Sequence, residues 1–142
     1  MDGATVEMRE EVGEDNIFIF GLTAADVALR RPHYDPWAVY RTNPELARAL
    51  DMIGGGTFSP GEQELFRPIA NSLLAGGDHY FLLADYAAYV ACQEQVARTY
   101  RDQSAWTRKA ILNVAQMGKF SSDRTIRQYA DEIWGITPMR VS

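Results

Sequence analysis

Four consecutive bulky apolar residues, Ile17-Phe18-Ile19-Phe20, closed by Gly21, constrain this chain more than any other feature. A run that is apolar at every position predicts a strand buried on both faces, as in a parallel sheet. Directly after it, Thr23-Ala24-Ala25-Asp26 has the spacing of a capping box and predicts a helix start, so the stretch reads as half of a βαβ unit. A buried strand, however, needs its N–H and C=O groups paired on neighbouring strands. The only other apolar run of similar kind is Tyr80-Phe81-Leu82-Leu83-Ala84, and two strands make a poor sheet in water. The chain lacks the rest of the sheet that its own strand demands, and it reads as a fragment. Alone, the Ile17-Phe18-Ile19-Phe20 edge is expected to self-associate, with Glu14, Asp15 and Asn16 as polar gatekeepers before it.

The remainder reads as helix after helix. Residues 5–13 form a short acidic helix stopped by Gly13. Asn43-Pro44-Glu45 supplies an N-cap, a first-turn proline and a first-turn acid to a helix that stops at Gly54-Gly55-Gly56. Ser59-Pro60-Gly61-Glu62 is a further helix entry, with Leu65, Ile69, Leu73 and Leu74 on one face. Asp85 is placed to cap a long helix with a stripe of Tyr86, Tyr89, Val90, Val96 and Tyr100. A helix over residues 104–117 carries Trp106, Ala110, Val114 and Met117 on one face. The last, opened by Ser121 or Ser122, sets Ile126, Tyr129, Ile133 and Trp134 on a face expected to be core. There is no internal repeat, low-complexity tract or domain linker. The fold class expected is mainly α with one or two short strands.

The chain has 142 residues, 46% of them hydrophobic and 23% charged, the composition of a globular protein. A net charge of −5 argues against nucleic acid as a partner, since phosphate binding needs a basic surface. Residues 1–97 hold 6 basic and 15 acidic side chains, whereas residues 98–142 hold 8 and 4, and packing of the two parts against each other is the simplest expectation. Cys92, the only cysteine, rules out a disulfide framework within the chain and points to the cytoplasm. No apolar run approaches the roughly 20 residues of a membrane span, so no membrane is expected as a partner.

Nothing in the residues assembles into an active site. Gly54-Gly55-Gly56 matches neither dinucleotide- nor P-loop spacing and follows a helix where both motifs follow a strand. His33 and His79 have no further ligands at metal spacing. Glu7, Glu10, Glu11, Glu14 and Asp15 lie in a strongly polar stretch and read as a solvated face. Cys92 has no histidine near it in sequence to activate it, and Ser121-Ser122 reads as a helix cap. Lys109 and Lys119 are the only lysines; one sits on an amphipathic helix and the other in a polar turn, and neither has the desolvated pocket of a Schiff-base lysine. The catalytic, cofactor-binding and metal-binding residues expected of this chain are therefore none.

Several stretches, in order along the chain, resemble the end of the α-glucan phosphorylases. They are Asp2-Gly3-Ala4-Thr5-Val6-Glu7-Met8, Glu14-Asp15-Asn16-Ile17-Phe18-Ile19-Phe20-Gly21, Phe58-Ser59-Pro60, and Ala84-Asp85-Tyr86 with Cys92-Gln93-Glu94. The strongest are Trp106-Thr107-Arg108 and Gly118-Lys119-Phe120-Ser121-Ser122-Asp123-Arg124-Thr125-Ile126, continuing to Tyr129 and Glu132-Ile133-Trp134. Each is weak alone; together, over residues 2–138 without large gaps, they are specific. Thr5 stands where that family usually has asparagine, Thr57 where a second aromatic is common, and Met1 where leucine is usual.

The resemblance implies a glycosyltransferase with two Rossmann-like domains, of which this chain is the end of the C-terminal, cofactor-side domain. It is one segment over residues 1–142, with no complete domain of its own. Such enzymes cleave terminal α-1,4-linked glucose from α-glucan with inorganic phosphate, releasing glucose 1-phosphate, and use pyridoxal phosphate. Their Schiff-base lysine and glycine-rich phosphate loop lie upstream of the matched stretches. The implied partner is thus the upstream part of a phosphorylase chain, with no pyridoxal phosphate bound here and no activity in this chain alone. The rival reading is a self-standing helical interaction or oligomerisation module without enzymatic activity.

Overall fold

The computed structural model describes residues 3–137 and residue 139. Its helices are α1 (Gly3–Val12), α2 (Ala24–Arg30), α3 (Pro36–Thr42), α4 (Pro44–Gly54), α5 (Arg67–Leu73), α6 (Leu82–Arg101), α7 (Gln103–Gln116) and α8 (Ser122–Gln128). Short 3₁₀ turns cover Glu14–Asn16, Arg31–His33 and Met117–Phe120, and α8 runs on into a π-helical turn over Tyr129–Trp134. Local chemistry sets most of the starts. The expected capping box of α2 forms in full, Thr23 accepting from the Asp26 N–H while the Asp26 carboxylate accepts from the Thr23 N–H. Asn43 caps α4 with Pro44 at its first position, and Ser121 caps α8. Asp102 caps α7 by accepting from the Ala105 N–H.

The expected strands are absent. Among the described residues there is helix, turn and loop but no strand, which overturns both the one or two short strands and the Rossmann-like α/β class for this chain. Ile17 leaves the 3₁₀ turn at φ −132° and ψ 143°, but, among the described residues, 17–20 join no ladder. Apolar character favours a buried extended run; only a partner makes it a strand. Residues 80–84 fail for a local reason. Phe81 has φ +61°, outside the extended region, and Leu82 already begins α6. Two helix starts also shift. Residues 59–62 form turns and α5 begins only at Arg67, while α6 begins three residues before Asp85.

The chain divides into two compact units. The first, residues 19–96, centres on Leu46, Leu50 and Leu83, with Val39, Tyr40, Leu73, Leu74 and Tyr86 packed against them. The amphipathic pattern of α4 builds this core, since Leu46 and Leu50 are one turn apart on one face. Cys92 is buried on α6.

The second unit joins residues 3–18 to the chain from residue 97 onward, and within it Val12 and Ala130 are buried. The face expected to form its core stays open. Ile126, Tyr129, Ile133 and Trp134 are all exposed, Trp134 by 54%, and on α7 Val114 is 80% exposed. Tyr129–Trp134 winds as a π-helical turn and not with the α-helical spacing expected, and among the described residues these apolar side chains are left exposed.

Candidate functional site

Two places in the fold concentrate polar side chains with apolar surroundings. The first lies in the unit of residues 19–96 and centres on Asp78, which is 2% exposed. Its carboxylate accepts from the Tyr34 hydroxyl at 2.6 Å and from the Leu82 and Leu83 N–H groups at 2.9 and 2.8 Å. Those two amides begin α6, where no intrahelical acceptor exists, so Asp78 closes the helix start from four residues upstream. Reaching it bends the backbone hard: Gly77, Asp78 and Phe81 all have positive φ, of +89°, +42° and +61°. The Phe81 ring stacks on Tyr34 at 4.4 Å, and the Arg31 guanidinium lies 5.2 Å from its centroid on the other contact. Burial, with the hydrogen bond to Asp78 second, pushes the Tyr34 hydroxyl well above the ordinary tyrosine range. The arrangement orders the start of α6.

The second place lies in the other unit, where Asn16, Ile17, Phe18, Trp106, Lys109, Ala110 and Asn113 line a cavity of about 310 Å³. The Asn113 carboxamide donates to the carbonyl of Asn16 at 2.7 Å and to that of Lys109 at 2.9 Å. Lys109 Nζ donates to the Asp15 carbonyl and lies 5.5 Å from the centroid of the Phe18 ring. Phe18 faces Trp106 at 6.3 Å with ring planes 21° apart, and Tyr100 meets the edge of Trp106 at 5.1 Å. These polar groups hold the segment after α1 against α7. The helical spacing of Trp106, Lys109 and Asn113, at i, i+3 and i+7, puts them on one face of α7.

The residues weighed from the sequence are not brought together. Gly54 ends α4, and Gly56 takes φ +79°, the helix stop expected of this glycine run. His33 and His79 are exposed, and no group of three or more His, Cys, Asp or Glu among the described residues is placed to hold a metal ion. Of the acidic cluster, Glu14 pairs with Arg9 and Glu11 with Lys119, and Glu7, Glu10 and Asp15 are exposed. The Lys119 ammonium is held above its ordinary range, chiefly by its hydrogen bond to Glu11. Tyr34 and Asp78 were missed by the sequence reading. The signal available was an aspartate a few residues ahead of Leu82-Leu83, the placement of a helix-start acceptor.

Among the described residues no helix is long and apolar enough to cross a membrane. A family model described as carbohydrate phosphorylase matches residues 1–136. Glycogen phosphorylase of Synechocystis sp. is 54% identical over 140 residues, which is 98% of this chain and 16% of that protein. The brain form of glycogen phosphorylase from Bos taurus is 52% identical over 139 residues, 97% of this chain and 16% of the relative. The muscle form from Ovis aries is 49% identical over 141 residues, 99% of this chain and 17% of the relative. The chain thus spans about a sixth of the length of the curated relatives it matches.

Proposed function

Because the chain belongs to the carbohydrate phosphorylase family, we propose that it serves as the C-terminal segment of a glycogen phosphorylase. That enzyme is a cytoplasmic glycosyltransferase that cleaves α-1,4-glucan with inorganic phosphate and releases glucose 1-phosphate. The observation that carries this reading is the 54% identity to a glycogen phosphorylase across 98% of the chain. In this reading residues 1–142 buttress the C-terminal domain, and the catalytic and cofactor-binding groups come from the upstream part of the polypeptide.

The open apolar stripes on α7 and on Ile126, Tyr129, Ile133 and Trp134 support a role as part of something larger. The self-standing module is not favoured, since such a module is expected to cover these residues itself.

Pyridoxal phosphate, the cofactor such an enzyme uses, does not fit the residues present. Its Schiff base needs an amine freed of hydrogen bonds and held in a pocket that favours the neutral form. Lys109 is tied to the Asp15 carbonyl, and Lys119 is held protonated by Glu11. No step through the cofactor is assigned to this chain. The test is to incubate the purified chain with pyridoxal phosphate, reduce with borohydride, and assay it with glycogen and phosphate. No adduct and no glucose 1-phosphate are expected. A stoichiometric adduct on Lys109 or Lys119, or turnover by the chain alone, overturns the division of labour proposed here.

A further inference from the structure

The cavity beside α7 offers a ring-shaped ligand a wall and an anion a partner. It measures about 310 Å³, whereas an apolar cavity of about 150 Å³ takes benzene. Its aromatic wall is braced. Phe18 and Trp106 are half-buried with ring planes 21° apart, and Tyr100 supports the edge of Trp106 at 5.1 Å. The polar groups are fixed as well. The two bonds that Asn113 donates, to the carbonyls of Asn16 and Lys109, pin its carboxamide and leave the carboxamide oxygen out of both. Lys109 supplies the only charge among the described lining residues, and no carboxylate lines the cavity with it. The half-buried Lys109 ammonium meets the Asp15 carbonyl and the Phe18 ring, and neither carries a charge to neutralise it. The carbonyl occupies one of its three N–H groups. Of the acids just before this segment, Glu14 pairs with Arg9 and Asp15 is exposed. A small cavity with flat apolar walls and one convergent cation selects a ligand with a flat apolar body and one negative charge.

We propose that this cavity binds a small aromatic carboxylate, its ring against Trp106 and Phe18 and its charge on the Lys109 ammonium. The lining lies wholly within the unit formed by residues 3–18 and the chain from residue 97 onward, and the inference stands apart from the phosphorylase reading. Binding is non-covalent. Lys109 serves as a hydrogen-bond donor and forms no Schiff base. The ring and the carboxylate use different groups of the site, so removing the charge from the ligand and removing it from the protein are expected to have the same effect.

The test titrates the 142-residue chain with 2-naphthoate and with its neutral counterpart 2-naphthamide, following the Trp106 indole and Asn113 carboxamide signals by NMR. Naphthoate is expected to shift both signals to saturation and to bind about tenfold more tightly than the amide, the worth of one charge-assisted hydrogen bond. Lys109→Met is expected to lower naphthoate to the affinity of the amide and to leave the amide unchanged, whereas Lys109→Arg keeps the preference. No saturable shift of these signals, equal affinity of the two probes for the unaltered chain, or an undiminished preference in Lys109→Met overturns the proposal. Shifts confined to Ile126, Tyr129, Ile133 and Trp134 assign the probe to that open face and overturn it too. Should Lys109→Met fail to fold, the affinity ratio of the two probes on the unaltered chain and its fall with added salt decide.

Discussion

Replacing Tyr34 by phenylalanine removes one hydroxyl from the site of Asp78, the most buried polar side chain among the described residues. The Asp78 carboxylate then keeps the two α6 amides but loses the hydroxyl at 2.6 Å. A hydrogen bond to a charged group contributes about 1.5–3 kcal/mol, and the ring itself stays stacked on Phe81, so a loss in that range is expected. Asp78→Ala goes further. It strips the acceptor from Leu82 and Leu83 N–H, adds a lost helix cap of about 1 kcal/mol, and forces alanine into a positive φ, for a total near 3–5 kcal/mol. The two effects overlap, because the hydroxyl acts only through the carboxylate. A double-mutant cycle is therefore expected to return a coupling of about 1.5–3 kcal/mol. The assay is urea unfolding followed by far-UV circular dichroism, with hydrogen exchange at Leu82 and Leu83 locating the damage at the start of α6. Coupling below about 0.5 kcal/mol, or unchanged exchange at those amides in Asp78→Ala, refutes the reasoning.

Stability at high pH carries the same contact in another form. The Tyr34 hydroxyl is raised from 10.0, so its neutral form is the one that folding favours. That contribution is complete below the unfolded value near pH 10 and is lost as pH rises toward the folded value. Wild type is expected to weaken above pH 10 more steeply than Tyr34→Phe, and parallel profiles count against it. Leu50→Ala, in the core of the first unit, is expected to cost about 2–5 kcal/mol, whereas Trp134→Ala, more than half exposed, is expected to cost less than about 1 kcal/mol. Denaturation midpoints of the two variants check the contrast, and a costly Trp134→Ala contradicts the open face.

What the sequence made legible was local chemistry. The capping box at Thr23 and Asp26, the Asn43-Pro44 entry and the glycine stop after α4 depend on neighbours within a turn, and each formed where it was read. What it misplaced depended on distant partners. Ile17-Phe18-Ile19-Phe20 has strand composition, but a strand is a property of two segments, and the second is missing. The stripe of Ile126, Tyr129, Ile133 and Trp134 has core periodicity, but periodicity states which face is apolar and not what covers it. Asp78 went unread because its cap reaches forward across a turn with positive φ at Phe81, and the aspartate ahead of Leu82-Leu83 was the one signal of it.

The most direct measurement is complementation. A glycogen phosphorylase shortened to end where this chain's match begins is purified, mixed with the 142-residue chain, and assayed for glucose 1-phosphate from glycogen and phosphate. Each component alone is expected to be inactive, and activity is expected to appear on mixing, saturating at one chain per shortened enzyme. A shortened enzyme that works equally well without the chain, or a tight one-to-one complex that stays inactive in the presence of pyridoxal phosphate, contradicts the reading of residues 1–142 as a working part of a glucan phosphorylase.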